Sequence, residues 1–368
     1  MKWSLLAVVI GFVMDLYLGD PHGFPHPVIY IGKLIAYLER RLRRVFPGTP
    51  EGEREAGAVL WLIVVAVSTA VPAAVLGICH MISPLLRLIA ESVMCWQILA
   101  IKSLRDESMK VYWELKASDV MKGVASDALR GPAGGTASDV TESPASDATE
   151  SPASDVTESP ASDATPNLAA ARRAVSMIVG RDTKNLDAPA ITRAAVETVA
   201  ENTSDGVVAP LFYLLIGGAP LGFAYKAVNT MDSMIGYVDP PYTDIGFAAA
   251  KADDIANFFP ARIAALLMLA AGGILGFDAQ NGWKTFKRDR LKHASPNSAQ
   301  TESACAGLLR IRLAGDAWYH GVLHKKEYIG DALREIEYED IRRACRLLYG
   351  TSFLALVLGV LVKLLVLH

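Results

Sequence analysis

Carboxylate and amide side chains recur at one-turn helical spacing in the second half of the chain. In the first such segment, Glu197 and Glu201 are four residues apart, and Asn202 and Asp205 follow. Residues four apart lie on the same face of a helix, so these carboxylates are neighbours. Because neighbouring carboxylates repel unless a cation or a shared proton lies between them, the pattern indicates magnesium binding, with an exposed charged helix face as the alternative.

Two later segments combine cations, amides and carboxylates at the same spacing. The first contains Lys226, Asn229 and Asp232, and the second contains Asp253, Asp254, Asn257 and Arg262. Mg²⁺ is usually bound by one or two carboxylates and leaves its other positions to water and phosphate oxygens. Lys226 and Arg262 are suited to bind such phosphates, and helix caps or interhelical ion pairs are the alternative.

A basic segment ends in Ser295-Pro296-Asn297, which predicts a helix start with Ser295 as its cap. A helix N-terminus beside Arg and Lys side chains favours anions. Further along, His320 and His324 are predicted to share the surface of a helix. The sequence lacks the glycine patterns of P-loop and Rossmann nucleotide sites and the motifs of zinc proteases and serine hydrolases.

The elements that must position these residues are mostly apolar segments. Residues 56–78 contain no charge and match the roughly 20 residues that cross a bilayer. Residues 3–18, 206–225, 263–277 and 351–367 are shorter or interrupted, and residues 85–101 form a return span or an interfacial helix. Hydrophobic residues make up 52% of the chain. We therefore predict an all-α polytopic integral membrane protein with four to five membrane helices and the polar segments gathered at one membrane face.

Basic clusters set the expected orientation. Arg40, Arg41, Arg43 and Arg44 follow the first apolar segment, and five Lys and Arg residues lie between 284 and 292, so both regions are expected to be cytoplasmic. Residues 206–225 and 263–277 must then both span or both not span. If both span, the polar loop 226–262 faces outward; if neither does, it faces the cytoplasm.

An acidic repeat divides the chain. Residues 137–165 repeat an eight-residue Ser/Thr/Asp/Glu/Pro/Ala unit that offers no large apolar side chains, so it is expected to be disordered. We predict a membrane region at 1–116, an acidic insertion at 117–166 and a motif-rich region at 167–368. Outside residues 118–166 the chain carries 34 basic and 30 acidic residues, which fits anionic lipids or phosphorylated substrates and does not indicate nucleic-acid binding.

Six ordered motifs resemble those of one membrane-bound family. They are Gly19-Asp20-Pro21 with Pro25-His26-Pro27-Val28, Val179-Gly180-Arg181-Asp182-Thr183, residues 197–210, residues 229–237, Asp253-Asp254-Ile255-Ala256-Asn257 with Arg262, and Ser295-Pro296-Asn297 with Ala306-Gly307. Together they resemble the adenosylcobinamide-phosphate synthases of cobalamin biosynthesis. The likeness covers nearly the whole chain except the acidic repeat.

The resemblance implies a C–N bond-forming ligase of the cell membrane, which uses ATP and Mg²⁺ to join a corrinoid carboxylate, adenosylcobyric acid, to the amine of aminopropanol phosphate or a related amino alcohol. Other cobalamin-assembly enzymes are possible partners. On this hypothesis the residue roles are as follows: Asp205, Asp232, Asp253 and Asp254 bind magnesium; Asn229, Asn257 and Asn297 position the cofactor; Arg181, Lys226, Arg262 and Lys292 bind phosphate; and Glu201 or His293 is the general base, with Asp205 also catalytic.

Two other classes of function fit the residues. Asn229-x-x-Asp232 and Asp253-Asp254-x-x-Asn257 are similar to the diphosphate–Mg²⁺ sites of membrane prenyltransferases, which consume an isoprenoid diphosphate without ATP. A non-catalytic corrinoid transporter or scaffold would instead use its polar residues to line a path through the membrane.

Overall fold

The computed structural model describes residues 2–21, 23, 25–130, 166–237, 240–319 and 321–366. Its helices are α1 (Lys2–Leu18), α2 (Pro27–Val45), α3 (Pro50–Ile82), α4 (Pro84–Trp96), α5 (Ile101–Arg130), α6 (Pro166–Ser176), α7 (Ala188–Asn202), α8 (Ala209–Ile235), α9 (Phe247–Ala256), α10 (Phe258–Ile274), α11 (Ala279–Asp289), α12 (Ser298–Leu309) and α13 (Glu339–Val366). A π-helical segment, Thr203–Val208, joins α7 to α8.

Four short strands accompany the helices: β1 (Leu313–Ala314), β2 (Ala317–Tyr319), β3 (Val322–His324) and β4 (Tyr328–Ile329). They form two antiparallel pairs, β1 with β4 and β2 with β3. The predicted helix through His324 is wrong, because His324 ends strand β3 and pairs with Ala317. Gly321, with a φ of +79°, allows the tight turn between β2 and β3 that a helix would exclude.

The fold is that of an all-α polytopic membrane protein, as predicted. Within the described residues, four helical segments are long and apolar enough to cross a membrane: Pro50–Ile82, Pro84–Asp119, Ala188–Ile235 and Glu339–Val366. The pair α9 and α10, bent by 45° at its break, would make a fifth if it counts as one span. Helix α5 continues to Arg130 and so runs into the predicted insertion 117–166, whereas the repeat at 137–165 lies outside the described residues.

Helix α8 and the π-helical segment before it form a hairpin. The backbone leaves the helical region at Gly217 and Gly218, where Gly218 has a φ of +67°. The Tyr225 hydroxyl donates to the backbone oxygen of Asp205 at 2.9 Å, although 20 helical residues would separate these positions by about 30 Å in a straight helix. Residues 206–225 therefore turn back on themselves, and their two ends lie side by side.

The hairpin places the polar loop, residues 226–262, relative to the basic cluster of α2. One contact ties this loop to the basic cluster of α2, because Arg43 Nη2 donates to the backbone oxygen of Pro241 at 2.7 Å. The loop after α8 thus lies on the same side as the arginines that were expected to be cytoplasmic, which favours the cytoplasmic alternative for residues 226–262. We call this side the open end of the hairpin, and the side of Gly217 and Gly218 the closed end.

Candidate active site

The open end of the hairpin brings together side chains from its two arms. Asp205 lies in the π-helical segment, a local widening of the helix that often marks a functional site. Lys226 lies one residue after Tyr225 and is therefore beside Asp205, whose charge it feels together with that of Asp20. No ion-pair or hydrogen-bond partner of Lys226 lies within reach among the described residues. Its ammonium therefore feels the charges of both carboxylates without forming an ion pair with either.

Asp253 is held by two amides that the sequence assigned to the site. Asn257 Nδ2 donates to Asp253 Oδ2 at 2.9 Å, and Asn229 Nδ2 lies 3.5 Å from Asp253 Oδ1. The Tyr225 hydroxyl also lies 2.9 Å from Asn257 Oδ1, which ties α9 to the second hairpin arm. Asn229 and Asn257 therefore orient the carboxylate of Asp253, and their role toward a cofactor stays a prediction.

Five carboxylates share this end of the molecule: Glu201, Asp205, Asp232, Asp253 and Asp254. Asp205 interacts electrostatically with Glu201, Asp232 and Asp253, and each of these contacts is repulsive. Asp232 also feels Asp254, whose own counter-ion is the exposed Lys251 at 3.5 Å. We call these five residues the carboxylate cluster. Its excess negative charge is what a bound cation would neutralise.

The cluster is not a closed metal cage. Across the described part of the chain, no group of three His, Cys, Asp or Glu side chains converges closely enough to hold a metal ion. This arrangement still fits Mg²⁺, because magnesium needs one or two carboxylates and takes its remaining ligands from water and phosphates. Asp205 interacts electrostatically with both Asp253 and Asp232, so Asp205 with one of these two carboxylates could supply the donors for such an ion.

A second polar region, a cavity of about 230 Å³, lies on the other side of α7. Arg181 Nη2 pairs with Glu197 Oε2, and Glu197 Oε1 accepts the backbone N–H of Ala314 at 2.6 Å. Burial alone would lower the pKa of Arg181, but the Glu197 charge and hydrogen bond raise it. Arg181 is therefore firmly charged. The polar side chains that line this cavity are Arg181, Glu197, Thr198, Glu201, Asn202, His293, Glu302, Tyr319 and Lys326. We call it the cationic pocket.

His293 is neutral and is fixed in one tautomer. Its Nδ1 accepts the backbone N–H of Ser295 at 3.1 Å, so the ring proton is assigned to Nε2. Burial lowers the pKa of His293 despite the nearby charges of Glu201 and Glu197. A neutral imidazole with its proton on Nε2 donates a hydrogen bond from that nitrogen and does not accept a proton there. Of the two predicted bases, Glu201 therefore has the better geometry.

Glu201 joins the two polar regions, because it lines the cationic pocket and also belongs to the carboxylate cluster. Ser298 Oγ donates to Glu201 Oε1 at 2.8 Å. Next to it, burial and the negative charges of Glu201 and Glu197 raise the pKa of Glu302 well above its ordinary value of 4.5. Glu302 therefore holds its proton to a higher pH than an ordinary glutamate does.

The basic residues of α10 and of the segment after α11 divide into two groups. Arg262, in α10, donates from Nη1 to Asn297 Oδ1 at 3.1 Å and to the backbone oxygen of Phe258 at 2.6 Å, and Arg290 is close enough to repel it. Within the described residues neither arginine forms an ion pair with a carboxylate, so the charge of both is available to an anion. Lys292 differs, because its Nζ lies 2.9 Å from the buried carboxylate of Asp289 and it does not line the cationic pocket.

The predicted cap of α12 is wrong by two residues. The helix begins at Ser298 with Asn297 as its N-cap, while Ser295 Oγ accepts the Asn297 N–H at 3.3 Å. Asn297 makes no side-chain cap bond and instead donates from Nδ2 to the backbone oxygen of Asp254 at 2.9 Å. A tertiary contact therefore replaces the local cap, and Asn297 links α12 to the carboxylate cluster.

Sequence reasoning missed four polar residues near the site. Lys326 and Tyr319 reach the cationic pocket from the strand region, with Lys326 Nζ 2.9 Å from the Tyr319 hydroxyl, and no spacing in the sequence signals them. Asp20 and His26, 3.6 Å apart, line a separate 420 Å³ cavity that also includes Lys226. Burial would raise the pKa of Asp20, but hydrogen bonds from His26 and Ser103 lower it. Asp20 and His26 both belong to the first of the six motifs, which was the available signal.

Comparison with known proteins agrees with this architecture. A family profile described as CobD/CbiB protein matches residues 8–149 and 144–348. The cobalamin biosynthesis protein CobD of Clostridium perfringens is 39% identical over 359 residues, covering 98% of each chain. CbiB of Salmonella typhimurium is 38% identical with 96% of each chain covered, and CobD of Geobacter metallireducens is 37% identical with 96% of this chain and 95% of its own covered.

No solved structure matches the chain significantly. The family profile and the relatives both extend across the membrane helices and the two polar regions. The chain is therefore a member of the CobD/CbiB family of cobalamin biosynthesis proteins.

Proposed function

We propose that this protein is an ATP-dependent ligase of the cell membrane. The reaction forms an amide between the carboxylate of adenosylcobyric acid and the amine of aminopropanol phosphate or a related amino alcohol, giving adenosylcobinamide phosphate with ADP and phosphate. The family supports a role in cobalamin biosynthesis and hence a corrinoid substrate. Amide formation from a free carboxylate is uphill, which is why the proposal includes ATP.

The observation that carries the proposal is the position of Glu201 between the two polar regions. On one side lie the cations of the cationic pocket, and on the other lies the carboxylate cluster. A ligase of this kind must hold a phosphorylated amine and a metal-bound nucleotide within reach of each other. One carboxylate that borders both regions is correctly placed to act on the amine.

The cationic pocket suits the amino alcohol phosphate. Its volume of about 230 Å³ is that of a small molecule, and Lys326 and the Nε2–H of His293 are donors for a phosphate. Arg181 is already engaged by Glu197, so it sets the shape of the pocket and its charge contributes at longer range. The ammonium end of the substrate then faces Glu201.

The chemical steps balance with these residues. The corrinoid carboxylate oxygen attacks the γ-phosphorus of ATP, the bond to the ADP oxygen breaks, and an acyl phosphate forms. Glu201 takes one proton from the substrate ammonium, and the free amine then attacks the acyl carbon. The bond from that carbon to the phosphate oxygen breaks, and the departing phosphate takes the second proton of the amine and leaves as hydrogen phosphate. Mg²⁺, when bound, would neutralise the nucleotide phosphates, with Asp205 and either Asp253 or Asp232 as the carboxylates that hold it. Arg262 and Arg290, which form no ion pair within the described residues, would contribute positive charge for the phosphates.

The orientation agrees with a cytoplasmic nucleotide. Arg43 of the α2 basic cluster contacts the loop after α8, so the carboxylate cluster lies at the face that the positive-inside tendency places in the cytoplasm. An ATP-dependent site on the other face would have no nucleotide supply. This arrangement also leaves the membrane face open to other cobalamin-assembly enzymes.

The test is a turnover assay on full-length protein in mild detergent with adenosylcobyric acid, aminopropanol phosphate, ATP and Mg²⁺. We expect corrinoid product and ADP in equal amounts, and loss of both in Asp205→Asn. Asp244→Asn is the matched control, because Asp244 lies at the same end but pairs with Arg54 at 2.9 Å, outside the cluster.

Other outcomes distinguish the other classes. Product formation without ATP, or consumption of an isoprenoid diphosphate, would favour the prenyltransferase-like class. Folded protein that binds the corrinoid but gives no product or ADP would favour a scaffold or transporter. Either result would overturn the proposed reaction.

A further inference from the structure

The closed end of the hairpin holds a buried polar cluster that the proposed reaction does not use. Glu91 is only 2% exposed, and its Oε1 accepts a hydrogen bond from the Ser4 hydroxyl. A Cβ atom on Gly218 would lie 2.5 Å from Glu91 Oε1 and 2.8 Å from Ser4 Oγ. The starts of α1 and α4 and the tip of α8 therefore meet here, opposite the carboxylate cluster.

Lys363 supplies a hydrogen bond that the hairpin turn removes. Pro220 has no N–H and so cannot donate to the backbone oxygen of Ile216 four residues earlier. Lys363 Nζ donates to that oxygen at 3.1 Å. Within the described residues Lys363 has no carboxylate partner, so its full charge and two of its three N–H donors remain available at the tip.

Arg87 adds a second cation next to the same turn. Its Nε lies 3.7 Å from Glu91 Oε2, which is too far for a hydrogen bond, and the Nε atom is buried without a partner. With Arg87 and Lys363 positive and Glu91 negative, the cluster carries a net positive charge. A 260 Å³ cavity opens between the two cations, bordered by the backbone of Gly217 and Gly218.

An apolar groove of about 470 Å³ leads away from this cavity. It is formed by the first hairpin arm, α10 and α13, and its walls include Leu211, Phe212, Ile263, Leu267, Leu358 and Val362. The groove and the cavity share Leu215, Ile216 and Lys363, so they are continuous. The combined site is cationic at one end and apolar along its length.

We propose that this continuous site binds an anionic phospholipid, with its phosphate headgroup at Lys363 and Arg87 and one acyl chain in the groove. Helices α3 and α13 end on this side, at Ile82 and Val366, which places the two cations near a bilayer surface where headgroups lie. A soluble phosphate would leave the apolar groove empty, and a zwitterionic lipid would leave the positive charge uncompensated. The bound lipid would stabilise the hairpin tip, which lies at the end opposite the carboxylate cluster.

The experiment compares lipid binding to detergent-purified full-length protein by native mass spectrometry and by thermal stability. Phosphatidylglycerol and phosphatidylcholine of identical chains are titrated against wild type, Lys363→Gln and Leu358→Trp. We expect wild type to bind phosphatidylglycerol more tightly than phosphatidylcholine. Lys363→Gln should lower the affinity for phosphatidylglycerol about fivefold, which is the contribution of one basic residue at a membrane surface. Leu358→Trp should lower the affinity for both lipids. Lys33→Gln, which removes an exposed lysine of α2, is the control and should behave as wild type.

Three results would overturn the proposal. The first is equal affinity of wild type for the two lipids, and the second is unchanged phosphatidylglycerol binding in Lys363→Gln. The third is competition by glycerol phosphate at the same concentration as the lipid, since that would show that the headgroup binds without the groove. Because these measurements contain no corrinoid or ATP, they are independent of the proposed ligase reaction.

Discussion

Charged side chains are arranged differently at the two ends of the α8 hairpin. At the closed end, Glu91 is bound by Ser4 and faces Arg87, and Lys363 completes the backbone of the turn. At the open end, Asp205 and Asp232 face other carboxylates. Opposite charges that pair with each other stabilise a fold. An unpaired charge lowers stability and is retained where a ligand supplies the missing counter-ion. The difference indicates that the paired groups of the closed end hold the hairpin together and leave one cation in excess for the proposed anionic lipid, whereas the open end leaves its carboxylates for a cation that binds with the substrates.

The largest expected effect is on turnover at the open end. Asp232→Asn should lower ligase turnover by about 100- to 1,000-fold, because it removes a charge placed to act on the metal and nucleotide. The same change removes a repulsion, so the thermal midpoint should stay equal or rise. Turnover and melting temperature are measured on one preparation, with Asp244→Asn as control. A lower melting temperature would contradict the difference drawn between the two ends, because it would show that Asp232 stabilises the fold.

The Arg181–Glu197 pair is a compensated pair within the open end and should behave like the closed end. Arg181→Gln leaves the Glu197 carboxylate, 6% exposed, without its counter-ion and should cost about 3 kcal/mol in the free energy of unfolding. Adding Glu197→Gln should restore at least about 1 kcal/mol of this loss. Chemical denaturation of the two single variants and the double variant gives the coupling. Additive losses would show that the two side chains do not stabilise each other.

At the closed end, Gly218→Ala should destabilise the protein by about 1–3 kcal/mol, because its backbone conformation is essentially restricted to glycine and the new methyl group meets Glu91 and Ser4. Gly276→Ala is the matched control. Gly276 also has a positive φ, of +80°, but no atom lies within 4 Å of its would-be Cβ, so it should lose only about 1 kcal/mol. Equal losses in the two variants would mean that contacts at the tip contribute nothing.

The smallest expected effect is a change in pH dependence. The native pKa of Glu302 is raised above 4.5, so the folded protein keeps a proton that the unfolded chain releases. Stability from this group is complete below pH 4.5 and falls as pH rises through the native pKa, by up to about 1.4 kcal/mol per pH unit. Glu302→Gln keeps a side chain of the same shape that can form hydrogen bonds but cannot titrate. Its melting temperature should therefore exceed that of wild type more at pH 8 than at pH 5, and an equal difference at both pH values would contradict the protonated state.

Local sequence patterns located the secondary structure that carries the site. The helical spacing of Glu197 and Glu201 is confirmed, because both lie in α7, and residues 56–78 lie within α3. These predictions succeeded because apolar length and four-residue spacing are local properties of a helix. The helix predicted through His324 is wrong because β2 pairs with β3 there. Strand pairing is a contact between two segments, and a four-residue spacing does not reveal it.

The sequence by itself determined that this is a helical membrane protein, and it identified the carboxylates, amides and arginines that its open end displays. Only the tertiary structure decided how they meet: Tyr225 against Asp205, Ala314 against Glu197, and Asn297 against Asp254. It also decided that residues 206–225 turn back and that Lys326 completes the cationic pocket. The physical reason is that residue types and periodicity fix what each helix can bury, whereas contacts between residues 20 to 117 positions apart depend on how all the helices pack together.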